Sequence, residues 1–421
     1  MLEFIKRNIK GDRVIWTILI ILSFYSLLAV YSASGTLAYK YFGGNATHYL
    51  LRQGALLFVG FLIIFFVHRI PYRYFSKLSQ FAYYLAVFLL LVTLLWGISL
   101  NQASRWIVLP GGITFQTSDF AKVALVMYLA RMLAVHEDDI GTFKGMLRYL
   151  MLPILIICGL IFPAGISTTL LLFGISMLLL FIGQVKFKYI LSVLGIALAG
   201  LGLFVLIIQV SPIESRLGTA QKRIEDFMNP ESEGNFQANQ SKIAVASGGF
   251  LGKGPGNSVQ RNVLPHPYSD FIFAIIIEEY GFFLGGLVLI ALYIFLFYRV
   301  VIIIRKVDRK FGAFLVAGLG LLLVFQALSH MAVAVNIFPV TGQTLPFVSM
   351  GGTSILFLSL AMGVILSVSR EVNELEEAKK KEINESPDPP AVTEDSSVPE
   401  EDTETREETV AAGVIKELNI K

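Results

Sequence analysis

Long apolar segments occupy most of this sequence and limit what it can fold into. An α-helix needs about 20 consecutive apolar residues to cross the hydrocarbon core of a bilayer. Only 15% of the residues are charged, against about 25% in soluble domains. The sequence therefore predicts an all-α, polytopic integral membrane protein with about ten transmembrane helices. The predicted spans are 14–33, 50–68, 80–98, 117–135, 147–163, 167–184, 189–210, 271–298, 312–336 and 349–369.

Lysine and arginine are distributed unevenly between the predicted loops. Every second short loop is basic, and the N-terminus carries Lys6, Arg7, Lys10 and Arg13. Because basic loops stay in the cytoplasm, a multi-pass protein of the cytoplasmic membrane with both termini cytoplasmic is expected. The apolar run Val14–Ala33 exceeds the roughly 7–15 residues of a signal-peptide core, so it is interpreted as an uncleaved first span.

Two polar regions divide the chain further. Residues 1–370 form the ten-span domain, which contains a large extracytoplasmic loop at 211–270 between the seventh and eighth spans. Within that loop, residues 215–230 have helical spacing. Residues 371–421 are poor in apolar side chains and rich in Glu, Asp, Ser, Thr and Pro, which predicts a disordered, acidic cytoplasmic tail.

The composition also excludes several classes of function. Cys158 is the single cysteine, so the chain has no disulfide framework and no thiolate metal site. The histidines are scattered without metal-ligand spacing. The formal net charge of +3 does not indicate a polyanionic partner such as nucleic acid.

Ionisable residues inside predicted spans are candidates for function. Asp119 and Lys122 lie three residues apart on one helix face, and Glu278 and Glu279 lie inside the eighth span. The favoured interpretation is structural: Lys122 neutralises one of the glutamates and holds two helices in register. On a continuous helix, Glu278 would lie roughly 12 Å deeper in the membrane than Asp270.

Asp270 lies at the start of the same span, after a segment with Pro265 and Pro267. A carboxylate at the boundary between water and lipid can act as a general base. An acid at this position could equally serve as the N-cap of the helix. The residues alone leave both possibilities open.

Several basic residues accompany Asp270 in the predicted outer loops. The run GGFLGKGPGN could be a phosphate-binding nest or a plain turn, and Lys253 and Arg261 add positive charge nearby. Arg105, beside Trp106, could anchor the chain at the interface or bind phosphate. These residues are compatible with a transporter pathway or with an enzyme that acts on a lipid-linked anion.

Three stretches together resemble the SEDS family, the shape, elongation, division and sporulation proteins. They read RWIVLPGGITFQTSDFAK, QSKIAVASGGFLGKGPGNSVQRNVLPHPYSDFIFAIIIEEYGF and FPVTGQTLPFVSMGGTS. The resemblance extends from the first span to about residue 370, and the last stretch is most similar to the FtsW branch of Bacteroidetes-type bacteria. It implies a glycosyltransferase that polymerises lipid II into β-1,4 glycan strands, here for cell division. The alternatives are a RodA-like elongation polymerase and a lipid II flippase.

The same resemblance implies roles for individual residues. Asp270 matches the essential acid of the family and is the expected catalytic base. Independently of the resemblance, Glu278, Glu279 and Asp119 are expected from their positions to form structural ion pairs. The candidates for binding lipid II and its pyrophosphate are Arg105, Lys122, Lys253, Arg261, Gln116 and Ser349.

The resemblance also implies partners and includes one departure. The expected partner is a class B penicillin-binding protein with transpeptidase activity, and other division proteins could bind as well. A divalent cation could help to neutralise the pyrophosphate, although the sequence contains no dedicated metal cage. Gly165 occupies a position where many relatives have an acid, so any role of that acid is missing or replaced.

Overall fold

The computed structural model describes residues 10–96, 98–100, 103–109, 113–196 and 235–385. A π-helical turn at Phe282–Leu287 directly precedes the twelfth helix. The helices are α1 Arg13–Ala33, α2 Gly35–Phe42, α3 Thr47–Val67, α4 Arg73–Trp96, α5 Thr117–Val135, α6 Glu137–Ile140, α7 Phe143–Ile161, α8 Ile166–Ile182, α9 Phe187–Ile196, α10 Phe236–Gly248, α11 Ile272–Gly281, α12 Val288–Lys306, α13 Lys310–Ala334 and α14 Thr353–Glu385.

The helices confirm a polytopic, all-α membrane fold. In the described part of the chain, 7 helical stretches are long and apolar enough to cross a membrane. The remaining predicted spans coincide with α5, α8 and the described part of α9. The span count of ten stays a prediction.

A small sheet that the sequence did not predict separates α4 from α5. Its strands are β1 Ile98–Leu100, β2 Ala103–Leu109 and β3 Ile113–Gln116, paired antiparallel in the order β1-β2-β3. The β2–β3 register runs from Trp106 opposite Gln116 to Leu109 opposite Ile113. Because β3 ends where α5 begins, the sheet determines where α5 starts.

Helix α5 lies in the interior of the bundle, and nearly all of its residues are buried. Glycines on α13 allow the close packing around it. A Cβ on Gly318 would lie 2.5 Å from Val126 of α5, and one on Gly320 would lie 2.5 Å from Val300 of α12. Small residues at such contacts let membrane helices approach closely.

One end of the bundle, here called the basic end, carries the ion pairs of Asp12 with Arg299 and of Glu137 with Lys310. Asp12 caps α1 by accepting hydrogen bonds from Val14 N (2.9 Å) and Ile15 N (3.2 Å). Arg299, near the end of α12, donates from Nε to the same carboxylate at 2.8 Å. Lys310 begins α13, directly after the end of α12, and it pairs with Glu137 of α6. The basic end provides a reference level for depth along α1 and α12.

Residues 272–306 form a helical hairpin and not one straight span. The chain turns at Gly281, whose backbone angles of φ 78° and ψ 173° are those that glycine adopts most readily. A Cβ on Gly285 would lie 2.6 Å from the carbonyl oxygen of Ile276. Residues nine apart in a straight helix are about 13.5 Å apart. Helix α11 therefore packs beside the start of α12, and the prediction of a continuous span over 271–298 is wrong before Phe282.

Contacts with α1 give the direction of the hairpin. Ser32 Oγ donates to the Glu279 carboxylate near the hairpin tip. Ser26 Oγ donates to Val348 O at 2.9 Å, and this loop contacts the turn that carries Asp270. Six residues of helix correspond to about 9 Å, so Glu279 lies farther from the basic end than that turn. The prediction that the glutamates lie deeper than Asp270 is therefore wrong, because α11 runs back toward the opposite end.

The predicted polar regions differ from the structure in one respect. Helix α14 continues to Glu385, so the prediction of disorder is wrong for residues 371–385. Glu376 and Lys380, and Glu377 and Lys381, are spaced four apart, which stabilises an exposed helix despite the lack of apolar residues. The predicted helix at 215–230 and the tail from 386 lie outside the described residues.

Candidate functional site

Asp270 lies in a tight turn directly before α11. Its amide donates to His266 O at 3.1 Å, and Ser269 Oγ donates to its Oδ1 at 2.9 Å. The N-cap residue of α11 is Phe271, which makes no side-chain capping bond. Gly342 approaches the carboxylate closely, since a Cβ on it would lie 3.7 Å from Oδ2. The half-buried carboxylate thus accepts from Ser269 at one oxygen and has Gly342 as a neighbour of the other.

A second loop, residues 336–352, clamps the Asp270 turn. Ser349 Oγ donates to Ser269 O at 2.7 Å and accepts from Leu345 N at 2.8 Å. Met350 N donates to Tyr268 O at 2.9 Å. The Ser349 hydroxyl is therefore committed to two backbone groups, and it can donate to lipid II only if its bond to Ser269 O breaks.

Each of the two loops contains a bulky residue in the left-handed region. His266 has φ 56° and Phe347 has φ 61°, a conformation that is uncommon and costly for residues other than glycine. The Tyr268 hydroxyl is hydrogen-bonded to His266 Nδ1 at 2.8 Å. Burial, followed by the Asp270 carboxylate, raises the pKa of Tyr268 above its ordinary value. Tyr268 therefore keeps its proton, and the tautomer of His266 sets which of the two groups donates in this bond.

Lys122 forms a buried polar network behind the 336–352 loop. Its Nζ lies 2.8 Å from Asp119 Oδ1 and donates to Gln326 Oε1 at 3.1 Å. Gln326 Nε2 donates to Thr344 O at 3.0 Å. The prediction that Lys122 pairs with Glu278 or Glu279 is wrong, because Asp119 on the same helix face already neutralises it.

Helix α13 supplies a further pair of polar contacts that the sequence reasoning missed. His330 Nδ1 is hydrogen-bonded to Gln343 O at 2.8 Å, and Gln343 Nε2 donates to Thr168 Oγ1 at 2.6 Å. Gln326 and His330 are four residues apart, so one face of α13 binds successive carbonyls of the 336–352 loop. The signal in the sequence for these contacts is the presence of polar residues, Gln326 and His330, inside an apolar span.

Glu278 anchors the returning part of the large loop at the hairpin tip. It is fully buried and pairs with Lys253 Nζ at 2.6 Å. Its carboxylate also accepts from Val259 N and Gln260 N, each at 3.2 Å. The side chains of Ser247 and Ser258 donate to it as well. The structural role predicted for Glu278 fits this arrangement, with Lys253 as the partner.

Glu279 and Arg261 meet through Ser32. Arg261 Nη1 donates to Ser32 Oγ at 2.9 Å, and Ser32 Oγ donates to Glu279. The glycine-rich run closes over this tip: Lys253 N and Gly254 N donate to the carbonyls of Glu278 and Glu279, each at 2.9 Å. These amides are therefore already used and do not form an open phosphate nest. Helix α11, about 15 Å long, separates the tip from Asp270.

The remaining candidates lie around the start of α5 and α8. Gln116 N donates to Thr353 Oγ1 at 3.2 Å, which joins the end of β3 to α14. Arg105 belongs to β2, and its side chain lies outside the described residues. Gly165 is the N-cap residue of α8 and provides no side-chain cap. Across the described ranges, no group of three or more His, Cys, Asp or Glu residues could hold a metal ion, and the divalent cation stays a prediction.

Comparisons with known proteins agree with this architecture. The sequence model of the FtsW, RodA and SpoVE family, described as "Cell cycle protein", matches residues 12–374. A probable peptidoglycan glycosyltransferase FtsW of Geobacter sp. (strain M18) is 32% identical over 371 residues, covering 86% of this chain and 98% of the relative. The protein of the same name from Hydrogenovibrio crunogenus is 34% identical over 366 residues, covering 85% and 90%.

Two solved structures share the fold. One belongs to a study of the structural coordination of polymerization and crosslinking by a peptidoglycan synthase complex, with a TM-score of 0.66 and 23% identity. It is matched over 86% of this chain and 98% of its own length. The other is the crystal structure of the Thermus thermophilus rod shape determining protein RodA, with a TM-score of 0.61 and 22% identity, covering 86% and 97%.

Proposed function

This chain belongs to the FtsW, RodA and SpoVE family of cell cycle proteins, and we propose that it is a peptidoglycan glycosyltransferase that polymerises lipid II. The relatives from Geobacter sp. and Hydrogenovibrio crunogenus, 32% and 34% identical, carry the name FtsW, which favours a role in division over the RodA-like alternative. The closer affinity to Bacteroidetes-type bacteria stays a prediction.

The protein is a multi-pass membrane protein, and we place its basic end in the cytoplasm. Lysine and arginine concentrate in loops on the cytoplasmic side of membrane proteins. The loop residues near Arg299, with Arg305, Lys306, Arg309 and Lys310, follow this rule. The Asp270 turn and the hairpin tip then lie toward the outer face of the cytoplasmic membrane, where lipid II would enter from the outer leaflet.

The position of Asp270 carries this proposal. The 4-hydroxyl of the GlcNAc in lipid II attacks the anomeric carbon of the donor chain, and Asp270 accepts the hydroxyl proton. A C–O bond to the acceptor forms while the bond to undecaprenyl pyrophosphate breaks, which converts an α-linkage into a β-1,4 linkage. A positioned base contributes about 10²–10⁴-fold to such a step.

The pyrophosphate leaving group needs neutralisation, and the basic candidates differ in how accessible they are. Lys122 is only 2% exposed and is neutralised by Asp119, which argues against its predicted contact with the pyrophosphate. Lys253 and Arg261 lie at the hairpin tip beside Glu278 and Glu279. Arg105 remains a candidate from its motif, as does Gln116 beside the start of α5.

A crosslinking partner is expected from the chemistry of the product. Glycan strands become a wall only when their peptides are joined, and one structural neighbour comes from a complex that coordinates polymerization with crosslinking. We propose a class B penicillin-binding protein as the partner of this chain, together with other division proteins.

The polar contacts argue against a flippase. A flippase needs a polar route across the whole bilayer, whereas the described polar network of Lys122, Gln326 and Thr344 lies beside the Asp270 turn. Toward the basic end, α5 and α13 pack through buried apolar residues such as Leu129 and Leu319. No described contact on these two helices continues the polar network across that layer.

The proposed function is tested with labelled lipid II and the protein purified with its penicillin-binding partner. Wild type is expected to form glycan polymer, and Asp270→Asn is expected to lose at least about 100-fold in rate. Asp138→Asn, a change of an exposed acid in α6, is the matched control and should polymerise normally. Equal polymer from wild type and Asp270→Asn would remove Asp270 as the base. Lipid II transport in vesicles without polymer would favour the flippase.

A further inference from the structure

The Ser349 hydroxyl joins the two loops that meet at the candidate site. It is 1% exposed, and it donates to Ser269 O while accepting from Leu345 N. Both partners are backbone groups. A hydroxyl in this position is suited to fixing the chain, since its donor and one acceptor site are already occupied.

The carbonyl that Ser349 holds belongs to the peptide group immediately before Asp270. Because a peptide group is planar, fixing Ser269 O also fixes the direction of the Asp270 amide. That amide donates to His266 O at 3.1 Å. The bond from Ser349 therefore restricts the main-chain rotation that would swing the Asp270 carboxylate.

The second bond of Ser349 stabilises a strained turn. Leu345 N reaches Ser349 Oγ across Phe347, whose φ of 61° is costly for a residue with a bulky side chain. His266, with φ 56°, lies in the other turn, which Ser349 holds through Ser269 O. Strained residues persist only where the surrounding structure over-determines them, and here one hydroxyl connects both strained turns.

Helices α1 and α3 support this connection from behind. Ser26 Oγ donates to Val348 O at 2.9 Å, and Gln53 Nε2 donates to Ser26 Oγ at 2.7 Å. Gln53 is fully buried and also reaches Ser349 O at 3.4 Å. The 336–352 loop is thus held against two membrane helices, which gives Ser349 a rigid base from which to fix Ser269.

We propose that Ser349 is a positioning residue that sets the direction of the Asp270 carboxylate toward the acceptor hydroxyl. The inference rests on the proposed function, because it assumes that Asp270 is the base. It replaces the predicted role of Ser349 as a direct contact to lipid II. Loss of the hydroxyl loosens the reacting geometry, which costs about 10–100-fold in rate without weakening substrate binding.

The test compares kcat and KM for lipid II polymerisation by the purified complex. Ser349→Ala is expected to lower kcat about 10–100-fold and to leave KM within about twofold. Ser349→Cys keeps a weak donor of similar size and should recover part of the loss. Ser176→Ala is the matched control, since that buried hydroxyl bonds only within α8, to Leu172 O at 2.8 Å.

Asp270→Asn separates this inference from the proposed function. If Ser349 acts through Asp270, Ser349→Ala causes little further loss in the Asp270→Asn background, measured over long incubations. A tenfold rise in KM at constant kcat would overturn the inference in favour of direct substrate contact, and so would fully additive losses. If Asp270→Asn keeps the wild-type rate, the base assignment fails, and positioning through Asp270 fails with it. Should Ser349→Ala not fold, Ser349→Cys decides by the same measurements.

Discussion

Replacing Glu278 by glutamine tests whether this carboxylate holds the large loop on the hairpin. Five groups donate to its two oxygens, including Lys253 Nζ, Val259 N and Gln260 N. Glutamine keeps one acceptor oxygen and places an amide NH₂ against donors. Each buried donor left without a partner costs about 1–3 kcal/mol. With the ion pair also lost, Glu278→Gln should lower the stability of the loop contact by about 3–5 kcal/mol.

Lys253→Met removes the other member of the pair and should cost much less. The Lys253 side chain is 32% exposed, so water screens the interaction and replaces part of it, and four donors to Glu278 remain. We expect a loss of about 1 kcal/mol. The double variant should resemble Glu278→Gln alone, because the interaction that Lys253→Met removes is then already absent.

Hydrogen exchange measures this contact directly. The amides of Lys253 and Gly254 donate to the carbonyls of Glu278 and Glu279, so they exchange only when the loop opens. A loss of about 3 kcal/mol corresponds to roughly 100-fold faster exchange. Unchanged exchange in Glu278→Gln, or a larger effect from Lys253→Met, would refute the view that Glu278 is the anchor.

Two further changes test the hairpin and the buried network. Gly281→Ala should lower the thermal unfolding temperature and the polymer yield, because the new Cβ would lie 2.3 Å from Phe250 O and alanine is strained at φ 78°. Gly174→Ala is the control and should change neither, because a Cβ on Gly174 has no atom within 4 Å. Lys122→Met should destabilise by about 3–5 kcal/mol, since it leaves the Asp119 carboxylate buried without a cation. Adding Asp119→Asn should restore much of that loss in thermal unfolding, and strictly additive destabilisation would contradict the ion pair.

Some of the site could be predicted from local sequence. Asp270 stood out because a carboxylate followed two prolines at the start of an apolar segment. Asp119 and Lys122 stood out because their spacing of three places them on one helix face. The partner of Lys122 was nevertheless predicted wrongly, since the sequence does not tell which helices are neighbours. The contacts of Gln326 with Lys122 and of Ser349 with Ser269 join parts of the chain that are 204 and 80 residues apart.

The sequence by itself determined the membrane fold, the basic loops and the family motifs, because segment length, charge and residue order are properties of the chain alone. Only the tertiary structure decided the depth of Asp270. An apolar run from Phe271 to Tyr298 has the length of a span, and the three glycines within it do not reveal a reversal of direction. The chain reverses at Gly281 because the large loop packs on the turn there. The amides of Lys253 and Gly254 in that loop donate to the carbonyls of Glu278 and Glu279. These are long-range contacts, so they determine the direction of α11 without leaving a periodic signal in the sequence.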